Sequence, residues 1–183
     1  PDDKRLSTTT NRIYAAPAQS LAAASKLARA SGCDIRMLGD ALEGEAHEVA
    51  RVHAGLALEI ARERKPGDAP VLLLSGGELT VTRRGDGVGG PNAEYCLALA
   101  IALNGAPGIH TIACDTDGVD GAAEVAEAII GPQTLAKARK LNLDPAAALA
   151  ANDAHSFFGA VGGQVVTGPT LTNVNDFRAV LIA

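Results

Sequence analysis

The fold of this chain is decided by residues 71–114, which read VLLLSGGELTVTRRGDGVGGPNAEYCLALAIALNGAPGIHTIAC. The continuous apolar run at 71–74 is typical of a strand that is buried on both faces. A helix is predicted over 91–103, because a proline in the first turn of a helix costs no hydrogen bond. The run at 109–113 predicts the next strand. A strand, a helix and a strand in this order indicate an α/β fold.

The same alternation continues on both sides of this stretch. Further helices are predicted over 18–31, 45–64, 134–141 and 144–151, and further strands over 12–16, 34–38, 79–82, 165–166 and 179–182. The strand at 79–82 follows the strand at 71–74 too closely for a parallel crossover, so these two are predicted to form an antiparallel hairpin. We therefore expect an α/β domain over 12–183, with a mostly parallel sheet flanked by helices in a Rossmann-like three-layer arrangement. Residues 1–11 are polar and are predicted to be a linker or arm.

Composition and charge exclude several classes of protein. The 183 residues include 16 Lys and Arg against 21 Asp and Glu, a formal charge of −5, whereas nonspecific nucleic-acid binding needs a basic surface. No stretch approaches the roughly 18 apolar residues of a membrane span. The three cysteines lie far apart and form neither a disulfide framework nor a CxxC metal pair, which favours a reducing, cytoplasmic location. The missing initiator methionine indicates a fragment.

Ligands of open α/β sheets bind at the carboxyl ends of the strands, and four polar segments follow predicted strands here. The first segment is Ser75, Gly76, Gly77 and Glu78. Its two glycines would let backbone N–H groups approach a phosphate, and the serine hydroxyl could donate to it. A tight turn between two strands explains the segment equally well.

The second segment, residues 85–90, is glycine-rich and opens the helix predicted over 91–103. Gly85, Gly87 and Gly90 satisfy G-x-G-x-x-G, which is weak evidence for a dinucleotide when it stands alone. A helix N-terminus favours phosphate or carboxylate. The candidate phosphate or nucleotide residues are Gly87, Gly89, Gly90 and Asn92.

The third segment carries three carboxylates, Asp115, Asp117 and Asp120, after the strand predicted over 109–113. Carboxylates this close repel each other unless a cation or hydrogen-bond donors offset the repulsion. Oxygen ligands of this kind suit Mg²⁺ bound together with a phosphate substrate. We predict that these are catalytic residues, with Asp117 as the metal ligand; two Asp-Gly turns would be the structural alternative.

The fourth segment, residues 167–176, is dense in hydroxyl and amide groups. Such groups suit a polyhydroxy or carboxylate ligand, although a polar turn that satisfies its own backbone has the same composition. The candidate substrate-binding residues are Thr167, Gly168, Thr170, Asn173, Asn175 and Asp176.

Five segments taken together carry a resemblance to a known family. They are LLLSGGELTVT, GGPNAEYCLALAIAL, DTDGVDG, NDAHSFF and VVTGPTLTNVNDFRAVLI. In this order they resemble the MOFRL domain of class II glycerate kinases, some of which are named hydroxypyruvate reductases. The resemblance covers roughly residues 71–183, and the upstream NRIYAAPAQSL and LGDALEGEAHEVARVH resemble the segment that precedes this domain.

The resemblance implies a function. Members phosphorylate glycerate to 2-phosphoglycerate with ATP and Mg²⁺ in a cleft between two α/β domains. This chain then corresponds to the C-terminal domain, without the N-terminal kinase domain, and is expected to be inactive alone. Many members have an arginine where this chain has Pro91, so a charge that would face the phosphoryl group is missing. An NAD(P)H-dependent hydroxypyruvate reductase and a noncatalytic binding domain remain as alternatives, and homo-oligomer formation stays open.

Overall fold

The computed structural model describes residues 8–10, 12–120 and 125–183. Its helices are α1 (Pro17–Ala30), α2 (Ala46–Glu63), α3 (Pro91–Leu103), α4 (Thr134–Lys140), α5 (Pro145–Ala150) and α6 (Ala154–Val161). Its strands are β1 (Asp34–Glu45), β2 (Val71–Thr80), β3 (Ile109–Asp115), β4 (Glu127–Ile130), β5 (Gln164–Val165) and β6 (Asp176–Ile182). Within the described ranges, six strands form one sheet in the order β1-β2-β6-β3-β4-β5.

The predicted α/β class is confirmed, but the prediction of a mostly parallel sheet is wrong. Within the described part of the chain, β1 pairs with β2 in parallel, and the other four pairings are antiparallel. β1, β2 and β3 do run in the same direction, as their helical connections predict. β6, however, enters between β2 and β3 and runs the opposite way. The alternation of helices and strands predicts direction along the chain, but it does not predict which strands become neighbours.

The hairpin predicted between 71–74 and 79–82 does not exist, because β2 is one strand from Val71 to Thr80. The glycines at its centre do not form a turn. They allow the neighbouring strand β1 to approach closely. Gly77 has φ 107°, and a Cβ there would lie 2.2 Å from the backbone nitrogen of Leu42. β1 is irregular at this point, with register shifts between Met37 and Leu42. Glycine is needed because β1 approaches β2 more closely than a side chain allows.

Several helix predictions are confirmed by the structure to within two residues, and two short elements, β4 and α6, were not predicted. The strand predicted over 12–16 is irregular backbone that leads into the proline at the start of α1. Of the predicted linker or arm, residues 1–7 and 11 lie outside the described residues. No helix in the described part of the chain is long and apolar enough to span a membrane.

The core is built from small and branched aliphatic side chains between the sheet and α2 and α3. The buried face of α2 carries Ala46, Ala50, Ala54 and Ala57, and these small side chains let α2 and α3 pack closely. α1 packs on β1, β2 and β6, on the other face of the sheet. The sheet thus lies between α1 on one side and the α2–α3 layer on the other.

Candidate functional site

Five carboxyl residues lie at one edge of the sheet, where β1, β2 and β3 end and where β4 and β6 begin. We call this group the acidic rim and define it as Asp115, Asp117, Asp120, Glu127 and Asp176. Asp115 and Asp176 are paired directly across β3 and β6. The rim therefore combines residues that are distant in sequence at the carboxyl ends of strands, where α/β proteins bind ligands.

The loop after β3 packs against the loop that precedes β6. Thr116 Oγ1 donates to the carbonyl of Asn175 at 2.8 Å and accepts the N–H of Val174 at 2.8 Å. The N–H of Thr170 donates to the carbonyl of Asp117 at 3.0 Å. These contacts bring together the third and fourth segments that the sequence had singled out separately.

Asp115 and Asp117 form the partly exposed part of the rim. Asp115 Oδ1 accepts the N–H of Asp117 at 2.9 Å. Asp117 Oδ1 accepts the N–H of Val119 at 2.8 Å, and its Oδ2 accepts the amide of Asn173 at 3.1 Å. Partial burial, reinforced by the charges of Asp117 and Asp176, raises the pKa of Asp115 to about 6. Loss of hydration is the main cause of this shift, and the two neighbouring carboxylates add to it.

Asp120 is buried and caps the N-terminus of α3. Its Oδ1 accepts the backbone N–H and the side-chain amide of Asn92 at 3.2 and 3.1 Å, and its Oδ2 accepts the N–H of Ala93 at 3.1 Å. A Cβ at Gly90 would lie 2.3 Å from Asp120 Oδ2, so glycine permits this close approach. The helix N–H groups that were predicted to hold a phosphate thus donate to a carboxylate of the protein itself.

Arg178 is the buried cation beneath the rim. The residue is 1% exposed, and its side chain forms an ion pair with Asp176. It also donates to the carbonyls of Gly76 and Gly77 at 3.3 Å and stacks over the ring of Tyr95, with its guanidinium carbon 5.7 Å from the ring centroid. Burial raises the pKa of Asp176, while the neighbouring Arg178 charge and the amide of Asn92 lower it. The guanidinium is enclosed, so it supports the rim from below rather than facing a ligand.

Glu127 is completely buried next to Asp120. Its backbone φ is 143°, a conformation that residues other than glycine rarely adopt. Burial and the adjacent Asp120 carboxylate raise the pKa of Glu127 to about 9. Because Asp120 already accepts three N–H bonds, we expect the proton of the pair to reside on Glu127 at neutral pH.

The glycine-rich loop at 85–90 packs against the turn between α5 and α6. A Cβ on Gly85 would lie 2.5 Å from the carbonyl oxygen of Ala151, and one on Gly87 would lie 2.5 Å from the Cβ of Asp153. The N–H of Gly87 donates to the Ala151 carbonyl at 3.0 Å, and Gly89 lies close to the start of α6. The G-x-G-x-x-G spacing is thus explained by packing within the protein, without a dinucleotide.

The structure places the predicted site residues in three locations. Those that meet at or beside the acidic rim are Asp115, Asp117, Asp120, Asp176, Asn92, Thr167, Gly168, Thr170, Asn173 and Asn175. The expectation of a glycine loop at 75–78 is wrong, because Ser75, Gly76, Gly77 and Glu78 lie within β2. Gly76 and Gly77 are paired with β6 in the sheet. Gly87 and Gly89 belong to the loop at 85–90, which packs against the turn between α5 and α6.

Sequence reasoning missed three residues that organise the surroundings of the rim. Asn152 Oδ1 accepts the N–H groups of Arg84 and Gly85 at 2.6 and 3.0 Å, and its Nδ2 donates to Glu94 Oε2 at 3.0 Å. Glu94 Oε1 in turn lies 3.0 Å from His47 Nδ1. Their signal in the sequence was slight: a polar residue after a helix, an acid in a first turn and a histidine in a helix. All three are buried, and tertiary contacts alone reveal their connection.

The donor set at the exposed part of the rim fits a Mg²⁺ ion. Asp115 and Asp117 offer carboxylate oxygens, which are the ligands that Mg²⁺ prefers. Asp115 also lies close to the charges of Asp117 and Asp176, which a bound cation would offset. Asp120 is less suited to this role, because it is buried whereas Asp117 is partly exposed.

Comparison with known proteins places the chain in a family. A family model described as the MOFRL family matches residues 71–176, more than half of the chain. The chain belongs to the MOFRL family. The resemblance found in the sequence is thereby confirmed, and the segments that carried it are the strands, loops and helix that surround the acidic rim.

Relatives within this family carry two kinds of name. The chain is 50% identical over 173 residues to an Agrobacterium vitis protein provisionally named hydroxypyruvate reductase. This match covers 93% of this chain and 40% of the relative. It is 35% identical over 159 residues to the D-glycerate 2-kinase of Thermotoga maritima, covering 87% of this chain and 38% of the relative. The crystal structure of glycerate kinase from Thermotoga maritima matches with a TM-score of 0.90 and 32% identity, over 94% of this chain and 42% of that one. The chain thus spans about two fifths of the length of these relatives.

Proposed function

We propose that this chain is the C-terminal part of an ATP-dependent glycerate 2-kinase and that the acidic rim lies on its side of an interdomain cleft. The observation that carries this proposal is the meeting of the two loops at the sheet edge, where Asp117 accepts the amide of Asn173 and Asp115 pairs with Asp176. The likeness to proteins named glycerate kinase supports the same reading.

Within this proposal the two exposed carboxylates have different tasks. Asp117 is held by Val119 and Asn173, so it is oriented to bind Mg²⁺ or to position the hydroxyl of glycerate. A bound Mg²⁺ would offset charge on the phosphates of ATP. Asp115 has a pKa of about 6, so it is mostly ionised at neutral pH and its Oδ2 can accept the proton of the 2-hydroxyl.

The loop at 167–176 provides the substrate side of the proposed site. It is exposed over most of its length and carries hydroxyl, amide and backbone groups that can bind the hydroxyls and carboxylate of glycerate. The N–H groups of Asn92 and Ala93 at the start of α3 donate to Asp120, and those of β2 belong to the sheet. We therefore infer that the phosphates of ATP are held mainly by a further region, corresponding to the part of the longer relatives that this chain does not cover.

The test is a coupled assay on the full-length protein with glycerate, ATP and Mg²⁺. We expect glycerate-dependent release of ADP, and we expect Asp117→Asn to lower kcat at least 100-fold, since one carboxylate oxygen is lost at the reacting centre. The matched control is Asp34→Asn, an exposed aspartate at the opposite edge of the sheet. Equal turnover by the Asp117→Asn and Asp34→Asn variants would refute the role of Asp117.

A reductase is the second candidate, since the relative at 50% identity carries that name. The same full-length protein is therefore also incubated with NADH and hydroxypyruvate. Oxidation of NADH without release of ADP in the kinase assay would overturn the kinase proposal. The packing of Gly85 and Gly87 against the α5–α6 turn leads us to expect no oxidation.

A further inference from the structure

A second group of metal-ligating side chains lies outside the acidic rim, where β1 ends and α2 and α3 begin. Glu45, His47 and Glu94 each offer one ligand atom, and these atoms all lie within 4.8 Å of one another. His47 Nδ1 is 3.0 Å from Glu94 Oε1 and 3.9 Å from Glu45 Oε2. We propose that these three residues form a site for a divalent transition-metal ion such as Zn²⁺.

The distances fit the coordination of such an ion. Zn²⁺ binds imidazole nitrogen and carboxylate oxygen at 2.0–2.2 Å in tetrahedral geometry, which places neighbouring ligand atoms about 3.4 Å apart. The two separations from His47 Nδ1, 3.0 and 3.9 Å, lie on either side of that value. Small side-chain rotations therefore suffice to close the site around an ion. Three protein ligands leave a fourth position for water or a ligand group.

Further side chains hold both carboxylates in place. Asn152 Nδ2 donates to Glu94 Oε2 at 3.0 Å, the oxygen that does not face His47. Thr82 Oγ1 donates to Glu45 Oε1 at 2.7 Å, and the Thr82 N–H donates to Glu45 Oε2 at 3.1 Å. Outer hydrogen bonds of this kind fix the orientation of metal-binding carboxylates. The ligands come from three elements, and their outer partners come from the start of the loop at 81–90 and from the α5–α6 turn.

The imidazole distinguishes this site from the acidic rim. Mg²⁺ prefers oxygen ligands and retains its water, whereas Zn²⁺ and Co²⁺ accept imidazole nitrogen. His47 and Glu94 are buried and Glu45 is partly exposed, so an ion could enter from the side of Glu45. A bound ion would tie the end of β1 to the first turns of α2 and α3 and, through Asn152, to the backbone at Arg84 and Gly85.

The experiment uses the untagged chain after removal of metal with a chelator. Zn²⁺ alone is titrated by calorimetry, and Co²⁺ alone is followed by its visible absorption. We expect one equivalent to bind and the affinity to fall at least 10-fold in His47→Gln. His110→Gln is the matched control, because His110 is exposed and far from the site along the sheet.

Three results would overturn the proposal. They are an absence of Zn²⁺ binding, equal binding by His47→Gln and His110→Gln, and complete displacement of Zn²⁺ by an equal concentration of Mg²⁺. If His47→Gln fails to fold, Glu45→Gln carries the test, since Glu45 is partly exposed and its replacement retains the bonds from Thr82 in part. The binding experiment does not depend on catalysis, so the proposed metal site can be refuted while the kinase proposal stands.

Discussion

Replacing Glu127 by glutamine should stabilise the protein, and the gain should grow with pH. The carboxyl is completely buried beside Asp120, which raises its pKa from about 4.5 to about 9. The folded protein therefore binds a proton that the unfolded chain releases between these two pH values. Since the folded state binds more protons, the free energy of unfolding falls as pH rises through this window. Glutamine has nearly the same shape and has no proton to lose.

The magnitude follows from the pKa difference. Each pH unit inside the window costs the wild type about 1.4 kcal/mol relative to the variant. At pH 7, which is 2.5 units above the ordinary value, the expected gain for Glu127→Gln is about 3 kcal/mol. At pH 5 the gain should be below about 1 kcal/mol. Below pH 4.5 the difference should no longer change, because Glu127 is then protonated in both states.

Urea unfolding at pH 5, 7 and 8.5, followed by circular dichroism, measures this difference directly. Groups that titrate in both proteins cancel when the two unfolding free energies are subtracted. Glu59→Gln on the exposed surface of α2 is the matched control and should show no such slope. A difference between wild type and Glu127→Gln that stays constant from pH 5 to 8.5 would refute the buried, protonated state of Glu127.

Two further predictions concern packing and a buried hydrogen bond. Gly55→Ala should stabilise the protein by about 0.5–1 kcal/mol, since the site is helical and open. Gly85→Ala should destabilise it by about 1–3 kcal/mol, because the new methyl group meets the Ala151 carbonyl. A urea midpoint for Gly85→Ala that equals or exceeds the midpoint for Gly55→Ala would contradict this. Tyr95→Phe should cost about 1–3 kcal/mol, because it removes the buried 2.8 Å hydrogen bond between the tyrosine hydroxyl and Nδ1 of His53, whose pKa burial lowers to about 4. An unchanged midpoint for Tyr95→Phe would contradict a stabilising hydrogen bond between His53 and Tyr95.

Local signals predicted the helices well and predicted the sheet poorly. α3 begins at Pro91, as the sequence indicates, because a helix start depends on residues close together in the chain. The position of β6 between β2 and β3 could not be predicted in this way, because strand pairing depends on long-range contacts. The glycines at 76–77 were misinterpreted for the same reason: the strand that approaches them comes from 30 to 40 residues earlier.

The candidate site shows the same division. The sequence drew attention to Asp115, Asp117 and Asp120 as one group, since all three follow a predicted strand. In the structure, Asp115 and Asp117 are partly exposed, while Asp120 is buried and caps α3. Neither hydropathy nor spacing distinguishes a carboxylate that binds a ligand from one that binds backbone N–H groups, because the difference lies in what packs against each.

The sequence by itself determined the α/β class, the helices α1 to α5, the family and the two loops that meet at the sheet edge. These features depend on periodicity, on proline and glycine, and on motifs that are contiguous in the chain. The tertiary structure alone decided the strand order, the enclosed Arg178, the buried Glu127 and the cluster of His47 with two glutamates. Those features depend on burial and on distances between residues far apart in sequence, and both arise only when the chain folds.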